Sequence, residues 1–117
     1  MASENEKYPG YSLEENFKKT LTEMLVLSLL AEQDRYIGEL TTTISQRSRN
    51  ALNIVFPYGA VYRLEESGYI REIDKRVAPD GRRRQYLGIT DAGKKRLQDL
   101  QATYKRLCNG VERVLEG

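Results

Sequence analysis

Three consecutive arginines, Arg82, Arg83 and Arg84, stand just past the turn-forming run Ala78-Pro79-Asp80-Gly81, and Arg71, Lys75 and Arg76 precede them. Glu72, Asp74 and Asp80 are the only acids between Arg71 and Arg84, which leaves a local excess of three positive charges. Guanidinium groups present a rigid fork of donors that matches phosphate oxygens, so the chemistry on offer is a grip on a polyanion. A lone charge run is more often a solvated face. Here the run follows a short amphipathic stretch carrying Tyr58, Tyr62 and Arg63, itself preceded by a polar, basic segment with Arg49 and Asn53. Hydroxyl, guanidinium and carboxamide groups so placed reach backbone or base edges of a duplex, and arginines at a hairpin tip grip phosphates or enter a minor groove.

These groups need elements to hold them. Ser12-Leu13-Glu14-Glu15 has the form of a capping box and opens helix one. Leu13, Phe17, Leu21, Met24, Leu25 and Ser28 recur at helical spacing, while Val26, Leu27, Leu29 and Leu30 add apolar surface on the other sides. A helix apolar all round from 24 to 30 requires two partners, the domain core and a second subunit. After a polar break at 33–36, a short helix from Ile37 to about Gln46 buries Ile37, Leu40 and Ile44, and 45–53 reads as a turn or loop. Helix three begins between Asn53 and Pro57, buries Val61 and Leu64, and ends at Gly68. Because proline disfavours helical angles in the residue before it, Phe56 stays outside that helix or Pro57 falls in its first turn. Tyr69 to Val77, with Ile73 and Val77 on one face, and Gln85 to Ile89, with Leu87 and Ile89, form a two-stranded wing. Thr90 caps a last helix in which Leu97, Leu100, Tyr104, Leu107, Val111 and Val114 follow one another by steps of 3, 4, 3, 4 and 3, a heptad seam suited to a dimer interface.

The expected fold is therefore mainly α within the α+β class, a winged helix-turn-helix with a long C-terminal dimerisation helix. Residues 1–11 are expected to be a flexible arm, 12–89 the DNA-binding domain and 90–117 the dimerisation helix. A length of 117 residues allows one domain, and no apolar run approaches the roughly 18 residues of a membrane span. The polar start and the single cysteine, Cys108, fit a cytoplasmic protein. Histidine is absent, which removes the commonest general base and metal ligand; no enzyme, cofactor or metal site is expected. Cys108 reads as a small buried thiol beside the seam. Tyr104 is either plain core or the wall of a pocket for a flat ligand, with Leu100 beside it.

Four segments, LTEMLVLSLLAE, IGEL, YGAVYRLEESGYI and RRRQYLGITDAGKKRL, occur in this order and at these spacings. From Leu21 to Leu115 the chain thereby resembles the PadR family of bacterial transcriptional regulators, in its smaller form with a single C-terminal helix. The resemblance implies a dimeric winged-helix repressor on a palindromic operator, released by a small aromatic or hydrophobic effector. It places the family's recognition-helix tyrosine on Tyr58, its arginine-leucine-glutamate segment on Arg63, Leu64 and Glu65, its wing tyrosine on Tyr86, and a central aromatic lining an effector pocket on Tyr104. The chain departs from the pattern at Phe56, Pro57 and Gly59, at Leu87 where a second wing tyrosine is usual, and at Tyr104 where tryptophan is common. The expected function is sequence-specific DNA binding by a homodimer, with the third helices in successive major grooves about 34 Å apart. The rival reading is a winged-helix adaptor whose third-helix face binds protein.

Overall fold

The computed structural model describes residues 12–55 and 57–117; the arm expected at 1–11 and the conformation expected of Phe56 lie outside the described residues. Among them are helices α1 (Leu13–Glu32), α2 (Ile37–Arg47), α3 (Tyr58–Glu66) and α4 (Asp91–Glu116), and one antiparallel pair, β1 (Ile70–Val77) and β2 (Arg83–Ile89), between α3 and α4. The mainly α winged helix-turn-helix expected from the sequence is the fold observed.

The helix ends follow from local chemistry. Ser12 Oγ accepts from the Glu15 amide at 3.1 Å and starts α1. α3 stops where Gly68 takes a φ of +77°, its amide bonding to the Glu65 carbonyl and the Tyr69 amide to that of Leu64. This pair of bonds is the Schellman closure that glycine favours. α2 closes in the same way, Arg49 N–H to Gln46 and Asn50 N–H to Ser45, but the left-handed residue at the position of Gly68 is Arg49, with a φ of +53°, followed by Asn50 at +65°. A side chain in that region costs roughly 1–2 kcal/mol. Segment 45–53 is thus partly helical, not all loop: α2 runs on to Arg47.

Helix α1 forms the centre of the core. Val26, Leu27, Leu29 and Leu30 on α1 pack with Leu40 and Ile44 on α2, Val61 and Leu64 on α3, Ile70 and Leu87 at the wing base, and Leu97 on α4. Each such side chain stabilises by about 1.5–3 kcal/mol. Pro57 is the N-cap residue of α3, which begins at Tyr58, one residue past the range from Asn53 to Pro57 expected from the sequence.

The wing departs from expectation on one point. Only Ile70 of β1 is buried; Val77 is exposed and Ile73 is at the surface. Ile73 and Val77 do not share an inward face, because the pairing shifts by one residue between Glu72 and Lys75 and changes the parity of the strand. Arg35, in the polar break, adds a rung to the wing by exchanging both main-chain hydrogen bonds with Leu87, at 3.1 and 2.9 Å.

Thr90 joins wing to last helix. Its hydroxyl accepts from the Gly93 amide at 3.0 Å and donates to the Gly68 carbonyl at 2.7 Å. Gly93 is buried at this junction, and a Cβ there would collide with the Tyr69 carbonyl oxygen. Beyond Leu100, α4 leaves the core, and the molecule is 50 Å along its longest axis.

Two glycine exchanges should therefore move stability in opposite directions in thermal unfolding. Gly93→Ala meets backbone that cannot swing aside and should lower stability by about 1–3 kcal/mol. Arg49→Gly relieves the left-handed strain, partly offset by greater freedom of the unfolded chain, and should raise it by a few tenths to about 1 kcal/mol.

Candidate nucleic-acid interface

The face of α3 turned from the core carries Tyr58 and, one turn on, Tyr62, both exposed. Ala60, Val61 and Leu64 hold the opposite face against α1 and the sheet base. Glu65 and Glu66 occupy the far end of α3, where burial, then Glu72 and Glu66, push the Glu65 carboxyl above its ordinary value. Those acids make the Tyr58 end the part of α3 compatible with a polyanion, and N-terminal residues of a recognition helix are the ones that contact base edges.

Arg63 is exposed, as expected of it, but engaged. Its Nε donates to Glu23 Oε1 of α1 at 2.8 Å, so it flanks the helix on the α1 side. Successive residues of an α-helix stand about 100° apart around its axis, which puts Arg63 well round the helix from Tyr62. Arg49 and Asn53 are exposed in the turn that links α2 to α3. Ser45 Oγ approaches the side-chain oxygens of both Asn50 and Asn53, at 2.9 and 3.0 Å, and so ties that turn to α2. Asn53 also borders an open notch of about 600 Å³ with Lys18, Lys19, Gly59 and Arg63. The two lysines were missed in the sequence because helix one was read only for its apolar positions.

The triple-arginine run divides. Arg82 and Arg83 are exposed, and no ion pair of theirs is found among the described residues. Arg84 is half-buried; Nη2 donates to Asp80 Oδ2 at 2.8 Å and its guanidinium lies 5.4 Å from the Tyr36 ring centre. The Arg84 hydrogen bond, the Arg82 amide and their charges hold the Asp80 carboxyl below its ordinary value, and Asp80 in turn raises Arg84. Arg84 therefore fastens the turn, and the free cations of the tip are its two neighbours. Arg76 is likewise engaged, with Asp34 at 3.0 Å and Asp74 at 2.7 Å.

A cluster at the end of α1 was not legible beforehand. Glu32 receives both terminal nitrogens of Arg47, at 2.6 and 2.7 Å, and one of Arg35 at 2.9 Å. These hydrogen bonds and charges, Arg47 first, hold its carboxyl at about 2. Arg47 is consequently a clamp on α2 and not a free cation of the turn.

The heptad seam also divides. Leu97 is in the core of the chain itself and Leu100 packs against that core. Tyr104, Leu107, Val111 and Val114 are 37%, 54%, 56% and 79% exposed. With Phe17, Leu21 and Met24 of α1 the middle of the seam borders an apolar groove of about 380 Å³. Tyr104 and Leu100 both line it, as does Cys108, which is half-buried rather than buried because the described residues cover α4 only in part there. A hydrogen bond with the Cys108 thiol, its charge, and burial raise Tyr104 above its ordinary value. No group of metal-ligating side chains and no helix long and apolar enough to cross a membrane occurs among the described residues.

Comparison with known proteins fits this geometry. The model of the transcriptional regulator PadR-like family matches residues 26–99. An uncharacterized protein of Lysinibacillus sphaericus is 32% identical over 95 residues, covering 80% of this chain and 86% of its own. A crystal structure of a Streptococcus transcriptional regulator is 29% identical with a TM-score of 0.70, covering 82% of this chain and 93% of that one. A PadR family regulator from Eggerthella lenta is 27% identical with a TM-score of 0.71, covering 86% and 87%. A PadR-like regulator from Bacillus cereus, at 21% identity, shares the fold with a TM-score of 0.73 over 87% and 98%. The chain belongs to the PadR-like family of transcriptional regulators.

Proposed function

We propose that the protein is a cytoplasmic, homodimeric repressor that reads a palindromic operator with the Tyr58 end of α3 and holds flanking phosphates with Arg82 and Arg83. The observation that carries this reading is the exposure of Tyr58 and Tyr62 on one face of α3, with two arginines at the tip of the wing for which no ion pair is found among the described residues. Arg49 and Asn53 at the entry to α3 add backbone contacts. Arg63 and Arg84 support these elements from behind. The organisation that follows is a DNA-binding unit over 12–89 and a dimerisation helix over 90–117.

Dimerisation is supported by the exposed run Tyr104, Leu107, Val111 and Val114, which a wet monomer would leave unburied at about 1.5–3 kcal/mol for each large side chain. The over-apolar α1 borders the same groove. A flat, hydrophobic effector seated against Tyr104 and Leu100 would lie where the two subunits meet, and so could alter the spacing of the two third helices. Two-fold symmetry then matches operator palindromy.

Gel retardation on the protein's own promoter should show affinity falling steeply between about 50 and 200 mM salt. In Arg82→Ala/Arg83→Ala, four cations fewer per dimer should flatten the log-log salt slope by about 3 to 4, with a loss similar on all sequences. An affinity indifferent to salt would remove the phosphate grip and favour a protein-binding role. Sedimentation should give twice 13.5 kDa for the wild type and 13.5 kDa for Leu107→Glu/Val111→Glu; a monomeric wild type would dispose of the seam as an interface. Planar hydrophobic compounds should raise the melting temperature of the wild type more than that of Tyr104→Ala, and equal shifts would count against an effector at this groove.

A further inference from the structure

Four side chains from three separate segments stack beside the wing. Tyr36 is the N-cap residue of α2, its carbonyl accepting from the Glu39 and Leu40 amides at 3.0 and 3.1 Å. Its ring meets the ring of Tyr86 edge to face, with centres 5.6 Å apart and planes at 67°. The Arg76 guanidinium lies 4.8 Å from the Tyr86 ring centre and that of Arg84 lies 5.4 Å from the Tyr36 ring centre. Arg76 and Arg84 are direct cross-strand partners, an arrangement that like charges ordinarily make unfavourable. Here each cation has both an aromatic face and a carboxylate: Asp34 and Asp74 for Arg76, Asp80 for Arg84. Arg84 Nε is buried with no acceptor, as expected of a guanidinium laid flat on a ring.

Tyr36 differs from the other three members. Tyr86, Arg76 and Arg84 all belong to the hairpin, whereas Tyr36 is fixed to the first turn of α2. Gly38 leaves room for its ring: a Cβ at 38 would stand 3.1 Å from Tyr36 Cε2. The stack is thus a side-chain joint between the helix-turn-helix and the distal half of the wing, beyond the point where the main-chain rung of Arg35 and Leu87 ends. Without it the tie found among the described residues between the hairpin past Tyr86 and the helices would be the exposed Arg76–Asp34 ion pair, and a lone two-stranded hairpin is marginally stable in water.

We propose that Tyr36 is a positioning residue for DNA binding: by seating Arg84 and Tyr86 it fixes the angle of the wing and so aims Arg82 and Arg83 at phosphates. This rests on the phosphate-gripping reading above. Neither Tyr36 nor any atom of the stack need touch DNA. The partner recognised is the duplex backbone, and the role of the joint is to deliver two cations to it already oriented.

The test exploits the fact that replacing Tyr36 removes no arginine or lysine. Tyr36→Leu should flatten the salt dependence of operator binding by about 3 to 4 in log-log slope for the dimer, as far as removing Arg82 and Arg83 does, and should weaken binding at least tenfold at low salt. Combining Tyr36→Leu with Arg82→Ala/Arg83→Ala should add little further loss. Tyr36→Phe, which keeps the ring, should retain the wild-type slope. A purely structural role would lower the melting temperature and leave the slope of the folded protein unchanged. Tyr36→Met carries the same comparison should the leucine variant not fold. A wild-type slope in Tyr36→Leu or Tyr36→Met beside a flattened one in Arg82→Ala/Arg83→Ala overturns the positioning role alone. A wild-type slope in all of them overturns it together with the phosphate grip on which it rests.

Discussion

The exchange of both main-chain hydrogen bonds between Arg35 and Leu87 is the constraint on which the rest depends. It pins the hairpin to the link between α1 and α2, so the wing shares a frame with the helices. Each bond contributes only about 0.5–1.5 kcal/mol net, but each would cost more if left unmade in the interior. Leu87 is buried at this point and carries the base of the wing into the core. The Arg35 side chain turns inward as well, 6% exposed, with Nε donating to the Leu29 carbonyl at 3.2 Å. The Leu29 carbonyl, which the Gln33 amide reaches at 3.4 Å, thereby gains a second donor from the residue that anchors the wing.

That economy has a consequence for charge. A buried guanidinium is stable only beside an acid, and Glu32 supplies one while also receiving Arg47. The same pattern recurs outward: Arg63 with Glu23, Arg76 with Asp34 and Asp74, Arg84 with Asp80. Five of the twelve arginines are thus internal fasteners in the fold. In the turn before α3 and at the wing tip, the arginines left for a polyanion are a small, placed set: Arg49, Arg82 and Arg83. A net charge of +2 says little about such a protein; the distribution of unspent cations says more.

Local chemistry was legible in the sequence. Ser12, Gly68 and Thr90 act as the caps their types suggested, and Ala78 to Gly81 makes the turn, with Gly81 at a φ of +83°. Apolar periodicity found the faces of α2 and α3. Pairings across long separations were not legible. Nothing in residues 32–36 signals that Arg35 meets Leu87 or that Tyr36 meets Tyr86, fifty positions on. The wing parity failed for a related reason, since a one-residue bulge leaves no mark on composition yet reverses every side chain beyond it. The seam was read correctly as a stripe, but a stripe does not say where its partner changes. Leu97 meets its own core because Thr90 and Gly93 bring α4 in close; past Leu100 the same stripe faces outward.

That change of partner along one helix bears on how such a regulator could be controlled. In the proposed dimer, the groove beside Tyr104 borders α1 on one side and the free part of α4 on the other. A ligand there would act on the angle between the two helices, and α1 carries that angle straight to the core behind α3. Tight binding alone would achieve nothing: the ligand must prefer one inter-subunit spacing over the other. A hundredfold loss of operator affinity requires a preference of about 2.7 kcal/mol, within the range one or two buried apolar contacts supply. By the same linkage operator DNA would weaken the ligand equally. The rigid joint of the wing matters here too, because a change of spacing can be read as a change of affinity only if each wing keeps a fixed angle to its own α3.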